Sequence, residues 1–218
     1  MSLKFATVTS FLMVAAAAGF SLWARTVLPD VPIATHFDAS GHVNGHMPRD
    51  TALIFGPAMA FGLAVIMLGI LPFIMPKKAT LQRSSQAYGA SAILTVSLLC
   101  LVHVALIVRA LGYPFDMKQW ALGAVGFLFF VLGNYLPKTR YNYVMGIRDF
   151  WTLADEGVWD RVHRLAGPLF MLLGVAVIAD AIVVPFPLAW MLMIGAVVVV
   201  TLICHGYSFI TAKRLNVA

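Results

Sequence analysis

The sequence predicts an all-α polytopic membrane protein, a bundle of six transmembrane helices with an interfacial amphipathic helix before the fifth span. Of the 218 residues, 61% are hydrophobic and only 11% are charged, whereas a soluble domain carries about 25% charged residues. The apolar residues form six runs, and about 20 such residues are enough for a helix to cross a bilayer. The predicted spans are residues 4–24, 51–75, 87–109, 119–136, 165–184 and 188–210.

The first apolar run follows Lys4 and contains many small residues, so it is similar to a signal peptide. Because the run is long for a signal and its removal would leave five spans, we expect it to be retained. The connections after the third and fifth spans are short, which predicts helical hairpins. We therefore expect residues 1–218 to form a single transmembrane domain, with an outer loop at residues 25–50 and a cytoplasmic cap at residues 137–164.

The distribution of Lys and Arg predicts that both termini are cytoplasmic. With the N-terminus inside, the inner segments hold eleven basic residues and the outer segments hold four, as the positive-inside rule requires. The inner residues are Lys4, Lys77, Lys78, Arg83, Lys138, Arg140, Arg148, Arg161, Arg164, Lys213 and Arg214, and the outer residues are Arg25, Arg49, Arg109 and Lys118. Membrane orientation thus accounts for the net charge of +6 without a direct nucleic-acid partner. Membrane lipids are the expected partners of such a protein.

The cap is the most polar segment between two spans. Pro137 predicts the end of the fourth span, because the residue before a proline rarely continues a helix. Thr152 and Asp155 resemble a capping box. They predict a helix that begins at about residue 153 and either continues into the fifth span or breaks near Gly167 and Pro168.

This predicted helix is amphipathic. Apolar residues follow a helical spacing on one face, at Ala154, Val158, Val162 and Leu165. Polar residues occupy the other face, at Glu156, Asp160, His163 and Arg164. One interpretation is a membrane-surface anchor with Trp151 and Trp159 at the headgroup level. The other is a recognition surface for a partner protein or an anionic headgroup, formed by Arg140, Arg148, Arg161 and Arg164.

The sequence predicts no metal and no other cofactor, although two weak alternatives exist. His36, His42 and His46 lie close together in the outer loop, and histidines near carboxylates can bind zinc or copper. Solvated loop histidines are the simpler interpretation. In the cap, Glu156, Asp160 and His163 resemble half of a carboxylate-bridged metal site, but a second half on a facing helix is missing.

Ionisable residues within spans are candidates for function. Asp180 is expected to pair with Arg109 or His103, and His205 lies in the sixth span. Because no carboxylate lies clearly near the middle of a span, the sequence gives little support to proton-driven transport. It also contains no motif of a nucleophile elbow, a zinc protease or a phosphate loop. We therefore expect no catalytic residue.

Two motifs nevertheless resemble a known family. The stretch "GNYLPKTRYNYVMGIRDFWTLADEGVWDRVHRLAG" resembles the signature of the SdpI-like immunity protein family. The matching residues are Gly133, Asn134, Pro137, Lys138, Arg140, Asn142, Gly146, Ile147, Arg148, Trp151, Thr152, Leu153, Glu156, Val158, Trp159, His163 and Arg164. The outer loop is similar to the amino-terminal region of the family at Pro32, His36, Phe37, Asp38 and Gly41. One difference is that Asp149 and Phe150 replace the Thr-Pro of the signature.

The resemblance implies a bacterial plasma-membrane protein that gives immunity to a membrane-active peptide toxin, acts as a signal receptor, or both. It implies a peptide toxin as the outer partner and a cytoplasmic regulator as the inner partner. The implied inner binding residues are Asn134, Lys138, Arg140, Asn142, Arg148, Trp151, Thr152, Glu156, Trp159, His163 and Arg164. The implied outer binding residues are His36, Phe37, Asp38 and Gly41. The alternatives are a small-molecule or lipid transporter and, third, a membrane enzyme that uses Glu156 and His163.

The spacing of Glu156 and His163 leads to a structural expectation. The two residues lie two turns apart, about 10 Å along a helix, which is too far for a direct hydrogen bond. We expect Glu156 to pair with Arg140 or Arg148, and His163 to bond Asn142 or a backbone carbonyl. These contacts would fold residues 138–150 back over the helix that follows.

Overall fold

The computed structural model describes residues 2–38, 40–74, 84–114 and 116–217. These residues contain six helices that are long and apolar enough to cross a membrane, so the predicted class of multi-pass membrane protein is confirmed. The helices are α1 (Leu3–Val27), α2 (Arg49–Ile74), α3 (Ser85–Ala110), α4 (Met117–Lys138), α5 (Glu156–Val183) and α6 (Phe186–Arg214). Two antiparallel strands, β1 (Ile33–Phe37) and β2 (Val43–Met47), form a hairpin between α1 and α2.

The hairpin and the cap lie at opposite ends of the helices. Residues near both termini lie at the cap end, where Leu3 packs against the same buried cluster as Val144 and where Leu215 and Val217 pack against the cluster that contains Val158. Both termini therefore lie on the same side of the bundle. Which side faces the cytoplasm remains a prediction. Three of the basic residues that support it lie outside the described residues, namely Lys77, Lys78 and Arg83, as does the predicted end of the second span at residue 75.

The first three helices pack together, and so do the last three. In the first group, small and β-branched side chains of α1, α2 and α3 form a common core, exemplified by Ala17, Ala64 and Val96. In the second group, Leu173 and Val177 of α5 lie in a cluster with residues of α4 and α6. Helices α3 and α4 contact each other and connect the two groups.

Glycines bring α4 and α5 very close together. Gly126 and Gly133 of α4 face Gly174 and Gly167 of α5, respectively. A Cβ atom at Gly174 would lie 2.5 Å from the carbonyl oxygen of Gly126, and one at Gly133 would lie 2.6 Å from a backbone nitrogen of α5. Small residues promote such packing in membranes, where van der Waals contact between helices replaces the hydrophobic effect.

Of the two outcomes predicted for the helix before the fifth span, the structure shows the first, in which the helix continues into the span. Helix α5 runs without interruption from Glu156 to Val183 and passes through Pro168. Its N-cap is Asp155, whose carboxylate accepts hydrogen bonds from the Gly157 and Val158 amides. The predicted N-cap, Thr152, lies in the preceding turn and bonds within the cap instead.

His103, one of the two partners considered for Asp180, bonds α1 instead. His103 is buried on α3, and its Nε2 atom lies 2.7 Å from the Ser21 hydroxyl of α1. Ser21 is also within 3.2 Å of the Ala17 carbonyl. The histidine therefore connects two helices of the first group.

Candidate functional site

The cap is a packed structure with a polar interior. Thr139, Asn142, Thr152 and His163 are almost completely buried, although all four are polar. A buried polar group must find a hydrogen-bond partner to avoid a large desolvation cost. The hydrogen bonds of these side chains therefore show how the cap is held on the ends of the helices.

His163 and Trp159 fix the middle of the cap to the start of α5. The two rings stack with centroids 4.0 Å apart, and both side chains are fully buried. His163 Nδ1 lies 2.8 Å from the Trp159 carbonyl and donates to it, while Nε2 accepts a hydrogen bond of 3.0 Å from the Ile147 amide. The imidazole is therefore the neutral tautomer with its proton on Nδ1. Trp159 Nε1 donates to the Thr139 carbonyl.

Gly146 makes this arrangement possible. It has a φ of +106°, a value that few residues other than glycine adopt. A Cβ atom at this position would lie 2.3 Å from His163 Nε2. The glycine of the family signature is thus explained by the close approach of the loop to the histidine.

Ser84 and a turn that Asn142 holds within the cap connect the cap to the first group of helices. The Asn142 carbonyl oxygen accepts from the Val144 and Met145 amides. Ser84, just before α3, accepts from the Arg140 amide and donates to the Arg140 carbonyl. Val144 and Met145 pack against a core cluster that includes residues of α1 and α3. The cap consequently contacts both groups of helices.

Asp149 joins the cap to α6. One carboxylate oxygen accepts from the Thr152 amide and the Ser208 hydroxyl, both at 2.8 Å, and the other lies 2.9 Å from His205 Nδ1. Burial tends to raise the pKa of Asp149, but the hydrogen bonds from Thr152, His205 and Ser208 outweigh it and lower the pKa below the usual 3.8. The acid that replaces the threonine of the family signature thus has partners on α6.

We expect Asp149→Asn to destabilise the folded protein by about 1–3 kcal/mol at neutral pH, since it removes a charged acceptor of several hydrogen bonds. Because the folded pKa is lowered, the carboxylate stabilises the native state above pH 3.8, and this stabilisation is lost as the pH falls through the folded pKa. Thermal unfolding in detergent from about pH 3 to 7 measures both effects. Equal stability of the two proteins at pH 7 would contradict the expectation, and Asp30→Asn is the exposed control.

The arginines of the cap lie on its surface. Arg140 is 3.6 Å from the Asp160 carboxylate, Arg148 donates to the Tyr143 carbonyl, and Arg164 donates to the Asp160 carbonyl. Arg140, Arg148, Arg161 and Arg164 are all exposed. Asn134 and Lys138, which bond each other, are exposed as well. These side chains form a basic surface at the cap end of the bundle.

The structure contradicts several expected partners in the cap. Glu156 is exposed, and the arginines predicted to pair with it have other partners. His163 was assigned to the polar, exposed face but is buried, with both ring nitrogens occupied. Glu156 and His163 therefore do not form an acid/base pair or half of a metal site. The predicted contact between residues 138–150 and the start of α5 is present, through the bond from the Ile147 amide to His163 and the bond from Trp159 to the Thr139 carbonyl. The backbone carbonyl that His163 bonds is that of Trp159, within α5 itself. Trp159, predicted at the headgroup level, is inside the cap, whereas Trp151 is half-buried against Phe209.

The hairpin contains the outer-loop residues of the family pattern. Asp38 accepts hydrogen bonds from the Ser40 and His42 amides, and its pKa is lowered chiefly by the bond from His42. Gly41 has a φ of +81°, so it completes the turn. Phe37 lies under the Arg109 guanidinium of α3, with 5.6 Å between the guanidinium carbon and the ring centroid. The pattern thus has a structural role in the turn.

The weak metal alternative in the outer loop is not supported. His36 Nδ1 lies 2.5 Å from the Asn44 side-chain oxygen, and His42 Nδ1 lies 3.7 Å from the Asp38 carboxylate. Within the described parts of the chain, no group of three or more His, Cys, Asp and Glu side chains is placed to hold a metal ion.

Four residues hold the cap without having been assigned that role from the sequence, although two of them, Asp149 and His205, are named there. Ser84 precedes a span, and His205 and Ser208 lie near the end of another, so they looked like isolated polar residues. Asp149 was noticed only as a difference from the family signature. The three-residue spacing of His205 and Ser208 places them on one face of a helix. That spacing was the available signal for a polar contact with the cap.

Comparisons with known proteins agree with the motif in the cap. Residues 138–208 match the SdpI/YfhL protein family, a region that covers most of the cap, all of α5 and most of α6. The chain is 25% identical over 128 residues to "Immunity protein SdpI" of Bacillus subtilis (strain 168), which corresponds to 58% of this chain and 61% of that protein. The chain thus matches about three fifths of the length of this curated relative. No solved structure matches. The chain is therefore similar to this family over residues 138–208, where most of the motif lies.

Proposed function

We propose that this SdpI-like membrane protein protects the cell that contains it against a membrane-active peptide toxin. The observation that carries the proposal is the overlap between the family match and a packed unit. Residues 138–208 match the family, and they include the buried contacts of Trp159, His163 and Asp149 that hold the cap on α5 and α6. The curated relative carries the name of an immunity protein.

Within this proposal, the basic surface of the cap is the inner binding surface. Buried residues of the family motif, such as Asn142 and His163, stabilise the fold of the cap. Exposed ones, such as Arg148 and Arg164, remain available to an anionic headgroup or a partner protein. The hairpin residues Phe37 and Asp38 are the proposed outer surface for the peptide.

A signal receptor is a second candidate. Phe150 is 77% exposed on the cap, two residues along the chain from the exposed Arg148, so the cap offers both an apolar side chain and a cation. Such a pair suits a cytoplasmic regulator, which a receptor of this family would hold at the membrane. Transport of a polar small molecule has less support, because the cavities described between neighbouring helices are lined mainly by apolar side chains.

The immunity proposal is tested in a Bacillus subtilis strain that lacks its own SdpI immunity protein. We expect expression of this chain to restore survival in coculture with the parental strain. Replacing Arg148 and Arg164 by glutamine is expected to reduce survival by about tenfold or more, since basic residues at an anionic surface contribute roughly 1 kcal/mol each.

The matched control replaces Lys213 and Arg214 by glutamine. This double variant loses the same amount of charge, but from the last turn of α6. Membrane fractions are probed by immunoblot to establish that each variant is inserted. Survival equal to that of the empty strain, with normal insertion, would reject immunity against this toxin. Full survival of the Arg148 and Arg164 double variant would limit these residues to a role in membrane orientation.

A further inference from the structure

We propose that a groove between α1 and α2 binds one phospholipid, with an acyl chain in the groove and its phosphate at Arg25. The groove lies near the hairpin end of the bundle and has a volume of about 400 Å³. Its wall is formed by apolar side chains of both helices, which are Ala18, Leu22, Leu53, Ile54, Pro57 and Ala58. This site is separate from the cap and does not depend on the immunity function.

The wall of the groove offers a ligand few hydrogen-bonding groups. Ser21 is the one hydroxyl-bearing residue among the lining residues described. Its oxygen is already engaged by the Ala17 carbonyl and by His103. A hydrocarbon chain therefore leaves no polar group of the wall without a partner when it enters.

The rim of the groove, which is its end nearest the hairpin, carries the charged residues Arg25 and Asp50. Asp50 at the start of α2 accepts hydrogen bonds from Arg25 Nε and Nη2, at 3.3 and 2.9 Å, and from Arg49 Nε at 2.9 Å. Both oxygens of this carboxylate are thus occupied by guanidinium groups. Arg49 is only 15% exposed and also bonds the Leu28 carbonyl, so its side chain is fixed.

Arg25 is the group at the rim that remains available. Its side chain is 60% exposed, and among the described residues nothing is hydrogen-bonded to its Nη1 atom. A guanidinium that bonds a carboxylate through Nε and Nη2 still has donors that point away from that partner. Phosphate oxygens are suitable acceptors, because their hydrogen bonds to arginine are charge-assisted.

The position of this cation fits the depth of a lipid headgroup. Arg25 is in the last turn of α1, and Ala18 lies seven residues earlier, which corresponds to about 10 Å along the helix. The hydrocarbon core of a leaflet is about 15 Å thick. The groove therefore extends from the headgroup level over most of one leaflet, and an apolar slot below a cation matches an amphiphile with an anionic head.

A second groove offers a matched comparison. It lies between α3 and α4, has a volume of about 420 Å³, and is lined by residues that include Leu98, Gly123 and Ala124. None of its described lining residues is charged. If an apolar groove alone were sufficient, both grooves would retain lipid equally.

The test measures bound lipid by native mass spectrometry on the purified full chain. Delipidated protein is mixed with dioleoyl phosphatidylglycerol or with dioleoylglycerol, which has the same chains but no phosphate. We expect one tightly bound phosphatidylglycerol, and about tenfold weaker binding for Arg25→Gln, which loses a charge-assisted contact. Ala18→Leu fills the α1–α2 groove and should remove this binding, whereas Ala124→Leu fills the α3–α4 groove and should leave it unchanged.

Several outcomes would overturn the proposal. Equal retention of dioleoylglycerol would show an apolar groove without phosphate recognition. Wild-type binding by Arg25→Gln, or equal loss in Ala18→Leu and Ala124→Leu, would remove Arg25 and this groove from the site. A copurified peptide that Ala18→Leu releases, in place of lipid, would assign the groove to a different occupant. Thermal unfolding of each variant without added lipid checks that the chain is folded.

Discussion

Replacing Gly174 by leucine is expected to prevent α4 and α5 from packing and to leave little folded protein. A Cβ atom at Gly174 would already lie 2.5 Å from both the Gly126 carbonyl oxygen and the Phe130 backbone nitrogen. Backbone atoms cannot turn away as a flexible side chain does, so the helices would have to separate. Overpacking of a well-packed core usually costs about 1–3 kcal/mol, and we expect this substitution to reach or exceed the upper value.

The measurement is the fraction of monodisperse protein after extraction in mild detergent, together with the thermal midpoint of what remains. Gly123→Leu is the matched control on the facing helix α4, because a Cβ atom at Gly123 has nothing within 4 Å. If Gly174→Leu and Gly123→Leu gave the same yield and midpoint, the close contact between α4 and α5 would not be important for folding.

The spans were predictable because membrane insertion depends on local composition. A run of about 20 apolar residues is visible without any knowledge of tertiary contacts. The helix ends were less predictable: α1 continues to Val27, beyond the predicted end at residue 24, since Arg25 lies within the last turn without ending it. The glycine contact was also visible in principle, as Gly126 and Gly133 have the same seven-residue spacing as Gly167 and Gly174.

The cap was predictable as a segment but not in its contacts. Helical periodicity placed His163 on the polar face with Glu156, and it contains no information about a loop that covers that face. In the structure the Ile147 amide reaches the imidazole from sixteen residues away. Asp149 meets His205 across 56 residues, and such long-range pairs follow from the packing of whole helices. For the same reason, the correct recognition of the family motif did not separate its buried residues from its exposed ones.

The second large effect is expected for His163→Leu, which should release the cap from α5. Leucine has a similar size but no acceptor, so the Ile147 amide would be left without a hydrogen bond inside the cap. A buried unsatisfied donor costs about 1–3 kcal/mol, and the lost stacking on Trp159 adds about 0.5–1.5 kcal/mol. The lost hydrogen bond and the lost stacking together are expected to be enough to open the cap locally while the membrane helices stay folded.

Limited trypsin digestion reports on the opening of the cap, because Arg140 and Arg148 lie in the segment that His163 holds. We expect cleavage after these arginines to be at least about tenfold faster in His163→Leu, as loss of roughly 1.4 kcal/mol already increases an open population by that factor. Glu156→Gln is the control, since Glu156 is exposed and Arg140 pairs with Asp160 instead. If Glu156→Gln exposed the cap as much as His163→Leu did, Glu156 rather than the buried histidine would hold the segment, and the assigned hydrogen-bond network would be wrong.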